Sequence, residues 1–205
     1  MRNFPDLQHK EFTVFKKLKS PKRIQDFLDA IPINFETGGE TCRSPLMTLK
    51  HNEAHCMEGA MLAAAALWRH GERPLLLDLK SADNDDDHVV TLFGYKDHWG
   101  AISKTNHAVL RWRDPIYKTI RELTMSYFNE YFLDSGQKTL RSFSAPFNLL
   151  RYGKNWLATE ENLWHIAADL DDSPHFNIME NGATRRLRRA DPLEVEAGKL
   201  TQWRK

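Results

Sequence analysis

The chain has 205 residues, 41% hydrophobic and 28% charged, which fits one soluble domain with a substantial core. Its formal charge of +1 exerts no global pull on nucleic acid or anionic membrane, and no apolar run approaches the ~20 residues that span a bilayer. Two cysteines, Cys42 and Cys56, make no disulfide framework and exclude a thiolate-rich zinc site built from one chain.

The N-terminal residues MRNFPDLQHKEF carry no apolar signal region, so the expectation is a cytoplasmic protein with both cysteines as thiols. Ser20-Pro21 is a cap and first-position pair that predicts a helix over Lys22 to Ala30, with Ile24, Phe27, Leu28 and Ile31 at helical spacing. Asn34 to Pro45 (NFETGGETCRSP) reads as a loop of the length that often carries function. The best-defined helix is HCMEGAMLAAAALWRHG, with Asn52 as its expected N-cap and Gly71 closing it. The run Ala63 to Ala66 is small on nearly every face, so this helix should be central and packed on several sides. RPLLLDL, HVVTLFGY, HWGAIS and HAVLRWR read as four strands.

Asp114-Pro115 then predicts the opening of a second strong helix, with Ile116, Ile120, Leu123, Tyr127 and Tyr131 as its buried stripe. A short helix containing Trp164 is expected between Glu160 and Asp169. Residues 183–205, with Arg185, Arg186, Arg188 and Arg189, read as an exposed basic tail of a single domain spanning 1–205. Acidic residues follow the arginines and no aromatic interleaves them, which disfavours nucleic acid as a partner. The pattern is α+β: a central Ala-rich helix packed on a mostly antiparallel sheet.

A cysteine nucleophile needs thiolate character, a nearby base and a group that orients the base. Cys56 sits near a helix start, where unpaired amides lower a thiol's pKa and can bind an oxyanion. His88 begins a strand directly after the acidic run Asp83, Asp85, Asp86 and Asp87, where it can face that helix start. His55 is next to Cys56, but helical residues one apart do not share a face. His51, His98 and His107 are weaker alternatives. The acidic run lacks the alternation and glycine of a calcium loop and reads as solvated. Cys42 reads as an ordinary buried cysteine.

The order of cysteine on a helix, histidine opening a strand and a Trp-containing strand next resembles the transglutaminase-like superfamily of papain-like cysteine enzymes. The residues that carry it are AHCMEGAMLAAAALWRHGERPLLLDL, HVVTLF and HWGAIS, within roughly Asn52 to Asn106. The resemblance implies a papain-like core and a cysteine hydrolase or acyltransferase acting on a peptide or amide substrate, with no metal or organic cofactor. It makes Cys56 the nucleophile and His88 the base. Where the family has an Asp closing the Trp strand, this chain has Ser103. Asn106 is the favoured substitute as ring-orienting group, Asp114 the next, and Ser103 or no group the remainder. A binding or scaffold module with a degenerate triad is the alternative reading. Asn34 to Pro45 and the region after Phe132 are the expected walls of a substrate site.

Overall fold

The computed structural model describes residues 4–180 and 182–205; the first three residues of the N-terminal segment lie outside it. Its helices are α1 (Pro21–Ala30), α2 (Pro45–His51), α3 (Cys56–Arg69), α4 (Ile120–Tyr127), α5 (Trp164–Asp171) and α6 (Pro192–Gly198). Its strands are β1 (Leu75–Lys80), β2 (His88–Tyr95), β3 (His98–Ser103), β4 (Arg113–Tyr117), β5 (Ser142–Ser144), β6 (Phe147–Asn148) and β7 (His175–Asn177). They form one sheet in the order β4-β3-β2-β1-β5-β7, with β6 also on β1, and every strand pair is antiparallel. The class is α+β.

The pleat sorts the apolar residues onto two faces. Leu76, Val89, Phe93 and Ile102 pack with α1, α2 and α3, while Leu75, Leu77, Leu79, Val90, Leu92 and Ala101 pack with α4 and the segment that follows it. Both faces being covered explains why Leu75 to Leu77 is a continuous apolar run and not an alternating one. Helix α3 is buried from Met57 to Trp68. Its alanines let the β2 backbone approach closely enough for Thr91 Oγ1 to donate to the Ala60 carbonyl at 2.6 Å. Gly59 serves the same end: a Cβ there would overlap the side-chain stem of buried Lys104.

Several elements differ from the sequence expectation. The loop before α3 contains α2, opened by Ser44 and Pro45, and Asn52 closes α2 in the left-handed region instead of capping α3. Asp114-Pro115 lies inside β4, on the edge of the sheet, where the missing proline N–H costs no ladder bond. The helix begins five residues later, where Thr119 accepts from the Glu122 amide at 3.1 Å. Ile116 is accordingly exposed, while Leu123 and Tyr127 keep the buried stripe. HAVLRWR is not a strand; it crosses irregularly, with Leu110 at a φ of 60°.

The C-terminal segment is folded along the body. Its arginines at 185, 186, 188 and 189 are exposed, but Val195 is buried and residues 200–203 pair with the chain at 106–108. No helix among the described residues is long and apolar enough to cross a membrane.

Candidate active site

Cys56 opens α3, His88 opens β2 and Ser103 closes β3. Val90 pairs with Ser103 across the β2–β3 ladder, so His88 lies two residues past that pair and on the same face as Ser103. His88 Nε2 is 2.8 Å from Ser103 Oγ. The Ser103 hydroxyl donates its one hydrogen to the Leu110 carbonyl at 2.6 Å, so towards the imidazole it is an acceptor. His88 therefore carries its proton on Nε2, and Nδ1 is left as the basic nitrogen.

Ser103 is itself held at three points. Gln25 of α1 donates to its carbonyl at 2.8 Å and accepts from its amide at 2.9 Å, pairing as a further strand would. Leu110, which receives the hydroxyl, is kept in its left-handed conformation by Glu130, whose carboxylate accepts the Leu110 amide at 3.0 Å. A leucine there is strained, and bonds at both its amide and its carbonyl offset that strain.

Cys56 is half-buried. Burial opposes its ionisation, but hydrogen bonds from His55 and His88, with the charges on those rings, outweigh it and lower the thiol from 9.0 to about 5. His55 is thus a site residue that the helical-face rule set aside. The rule does not apply because His55 is the extended N-cap residue outside the helix, with φ −90° and ψ −174°. Its Nδ1 accepts the Met57 amide at 3.3 Å, and its Nε2 lies 2.8 Å from the Thr41 carbonyl. Burial disfavours its charged form, yet the Cys56 sulfur, the Glu58 carboxylate and the Thr41 carbonyl raise it to about 9.

Glu58 completes this helix start. Fully buried, it accepts Thr41 Oγ1 at 2.8 Å, Asn34 Nδ2 at 3.1 Å, the Arg43 amide at 3.1 Å and the His55 amide at 3.2 Å. The loop from Asn34 to Pro45 is thereby fastened over the N-terminus of α3. The sequence signal was present as a cap followed three residues later by Glu, hidden because histidine is a rare cap. Cys42, on the same loop, is buried, and burial together with the Glu58 charge pushes its thiol up to about 12.

The other sequence candidates stand elsewhere. Asn106 does not reach His88; its amide group pairs both ways with the Trp203 backbone, at 3.0 and 2.8 Å. Asp114 is exposed and accepts from Trp112 Nε1 at 2.9 Å. His98 begins β3 at the opposite end from Ser103, His51 ends α2, and His107 bonds the Gly198 carbonyl. The acidic run is only partly solvated: Asp85 takes Thr139 Oγ1, and Asp87 takes the Ser81 amide and hydroxyl.

Cys56 and His88 open into a cleft of about 780 Å³, whose walls include Phe35, Asp86, Tyr131 and Leu133. That volume suits a peptide-sized or smaller organic group. Among the described residues, Asp78, Asp87 and Asp171 are the metal-ligating types that come together; Asp87 also lines the cleft, and the Lys80 ammonium already pairs with Asp87 and Asp171.

No family model matches this chain, and no curated protein does. Among solved structures, EGTA-treated LapG of Legionella pneumophila is similar over 71% of this chain and 84% of that one, at 14% identity and a TM-score of 0.40. A likeness of that strength carries no argument about this chain.

Proposed function

We propose that this protein is a cysteine-nucleophile hydrolase or acyltransferase of transglutaminase-like, papain-like type, acting on a peptide or amide bond. The observation that carries the reading is the line from the Cys56 sulfur through the His88 ring to Ser103 Oγ, with the serine's own hydrogen committed to Leu110. Cys56 Sγ attacks the carbonyl carbon as the C=O π bond opens onto oxygen. The resulting oxyanion meets the first amides of α3, where the Cys56 N–H has no acceptor among the described residues. The thiol proton passes to His88 Nδ1 as the thiolate forms, and His88 then gives that proton from Nδ1 to the leaving amine as the C–N bond breaks. Water or a second amine resolves the thioester, giving hydrolysis or acyl transfer. Ser103 needs no negative charge for its part: a neutral acceptor suffices to hold Nε2–H and so direct Nδ1 to the sulfur.

A second reading, a binding module of the same fold, draws on Ser103 standing where a carboxylate would stabilise an imidazolium. Iodoacetamide labelling at pH 6 separates the two. The enzyme reading expects Cys56 to alkylate roughly a thousandfold faster than Cys42: about 10⁶ in thiolate fraction, reduced by about 10³ because a low-pKa thiolate is less nucleophilic. It also expects His88→Ala to slow Cys56 at least tenfold. Equal, slow labelling of both thiols would reject it.

A further inference from the structure

We infer that the groove between residues 137–141 and 184–189 is a binding site for a small, multiply charged phosphate-bearing ligand, separate from the cysteine cleft. The groove has a volume of about 350 Å³ and brings Lys138, Arg141, Arg185, Arg188 and Arg189 together, with no Asp or Glu in its lining. Five cations in one groove of a chain whose net charge is only +1 is a strong local excess, and mutual repulsion makes it costly unless an anion answers it. Among the described residues only Arg188 has a carboxylate partner, Asp191 at 3.3 Å.

Three of the remaining four heads are positioned without being neutralised. Arg141 donates to the Leu140 and Lys138 carbonyls, both at 3.0 Å, and Arg189 donates to the Ser135 carbonyl at 3.1 Å. Lys138 Nζ is held by Asn129 Oδ1 at 2.5 Å. Neutral acceptors fix the geometry and leave the positive charge for a ligand, which lowers the ordering cost of binding. Guanidinium forks suit phosphate oxygens, whereas the lining has no aromatic ring on which a nucleobase would stack. That favours a compact di- or triphosphate-type anion over a single-stranded nucleic acid.

The location also gives the site something to act on. Both of its walls continue into the cysteine cleft: one as Glu130 to Ser135, the other as Val195 to Lys199. They are sewn together at Gly136, whose carbonyl accepts the Ala190 amide at 2.8 Å and whose φ of 78° leaves no room for a Cβ against the Ala190 carbonyl. An anion that bridges the groove orders both walls together.

Isothermal titration of the full chain with inorganic tripolyphosphate tests the site, with sulfate and a twelve-nucleotide single-stranded RNA as comparison ligands. The expected result is saturable one-to-one binding that is at least tenfold weaker for sulfate. It should fall at least tenfold in Arg185→Glu, an exposed residue whose side chain has no hydrogen-bond or ion-pair partner among the described residues, and stay unchanged in Lys22→Glu on helix α1. Hydrogen exchange at 131–139 should slow when the ligand is bound. No saturable binding, equal loss in both variants, or tighter binding of the RNA than of tripolyphosphate would each overturn the inference. Repeating the titration with Cys56→Ser keeps the outcome independent of whether the cysteine site is active.

Discussion

Cys42 and Cys56 stand on either side of the same helix start, and the protein drives their chemistry in opposite directions. Cys42 is enclosed by the loop that Glu58 fastens down; it has apolar neighbours and a carboxylate near it, and its thiol is pushed up to about 12. Cys56 is half-buried at the cleft, where desolvation also opposes ionisation, yet two imidazoles face its sulfur and bring it down to about 5. Desolvation alone cannot distinguish an inert thiol from an activated one, because it acts with the same sign on both. The difference comes from the charges and donors that tertiary structure places beside each sulfur.

The largest effect that would break this contrast comes from Glu58→Ala. It takes a fully buried acceptor from four donors, Asn34 buried and the other three half-buried, and should cost about 3–5 kcal/mol in urea denaturation. Cys42 should also become accessible to labelling below the unfolding midpoint. Unchanged stability would mean that the loop is held by something else. His55→Gln sharpens the comparison next. It removes the strongest group lowering the Cys56 pKa while leaving His88 in place. The midpoint of the alkylation–pH profile should therefore move up from about 5 by at least one unit, slowing labelling at pH 5 by about fivefold or more. The sign follows from linkage: losing a cationic neighbour destabilises the thiolate, so ionisation needs a higher pH. A midpoint that does not move would remove His55 from the site.

Ser103 gives a smaller and more diagnostic change. Ser103→Ala leaves Nε2–H of His88 unpaired, and labelling should slow about three- to tenfold with the cysteine still present as thiolate at pH 7. Ser103→Asn, which keeps a neutral acceptor, should recover part of the loss. Equal rates in wild type and Ser103→Ala would detach the serine from the ring. Asn106→Ala should have the least effect on Cys56, within about twofold, while the loss of two bonds to Trp203 lowers stability by about 1–2 kcal/mol. A rate loss as large as that of Ser103→Ala would return Asn106 to the site.

Much of this arrangement can be read along the chain, and some of it cannot. The Ala-rich helix, the strands that HVVTLFGY and HWGAIS form, and the position of Cys56 and His88 at element starts follow from local pattern, since a helix or strand registers its own periodicity. The misread segment from His107 to Tyr117 shows the limit. Asp-Pro is sound capping chemistry, but β3 offered an edge to pair with, and Thr119 offered a second cap five residues on. Local preference lost to a tertiary partner that no window of sequence contains.

The same reason divides the candidate site. By itself the sequence determined that a cysteine opens the central helix and that a histidine opens the strand after the acidic loop. Only the folded chain decided that His55 turns to the sulfur, that Ser103 and not Asn106 or Asp114 receives Nε2–H, and that Gln25 and Leu110 hold that serine in place. Each of those choices is a side-chain contact that spacing along the chain does not fix, from neighbours in the case of His55 and Cys56 to residues 78 apart in the case of Gln25 and Ser103. Such contacts depend on which elements pack together. Composition and spacing supply the groups, and the packing of α1, α3 and the sheet selects among them.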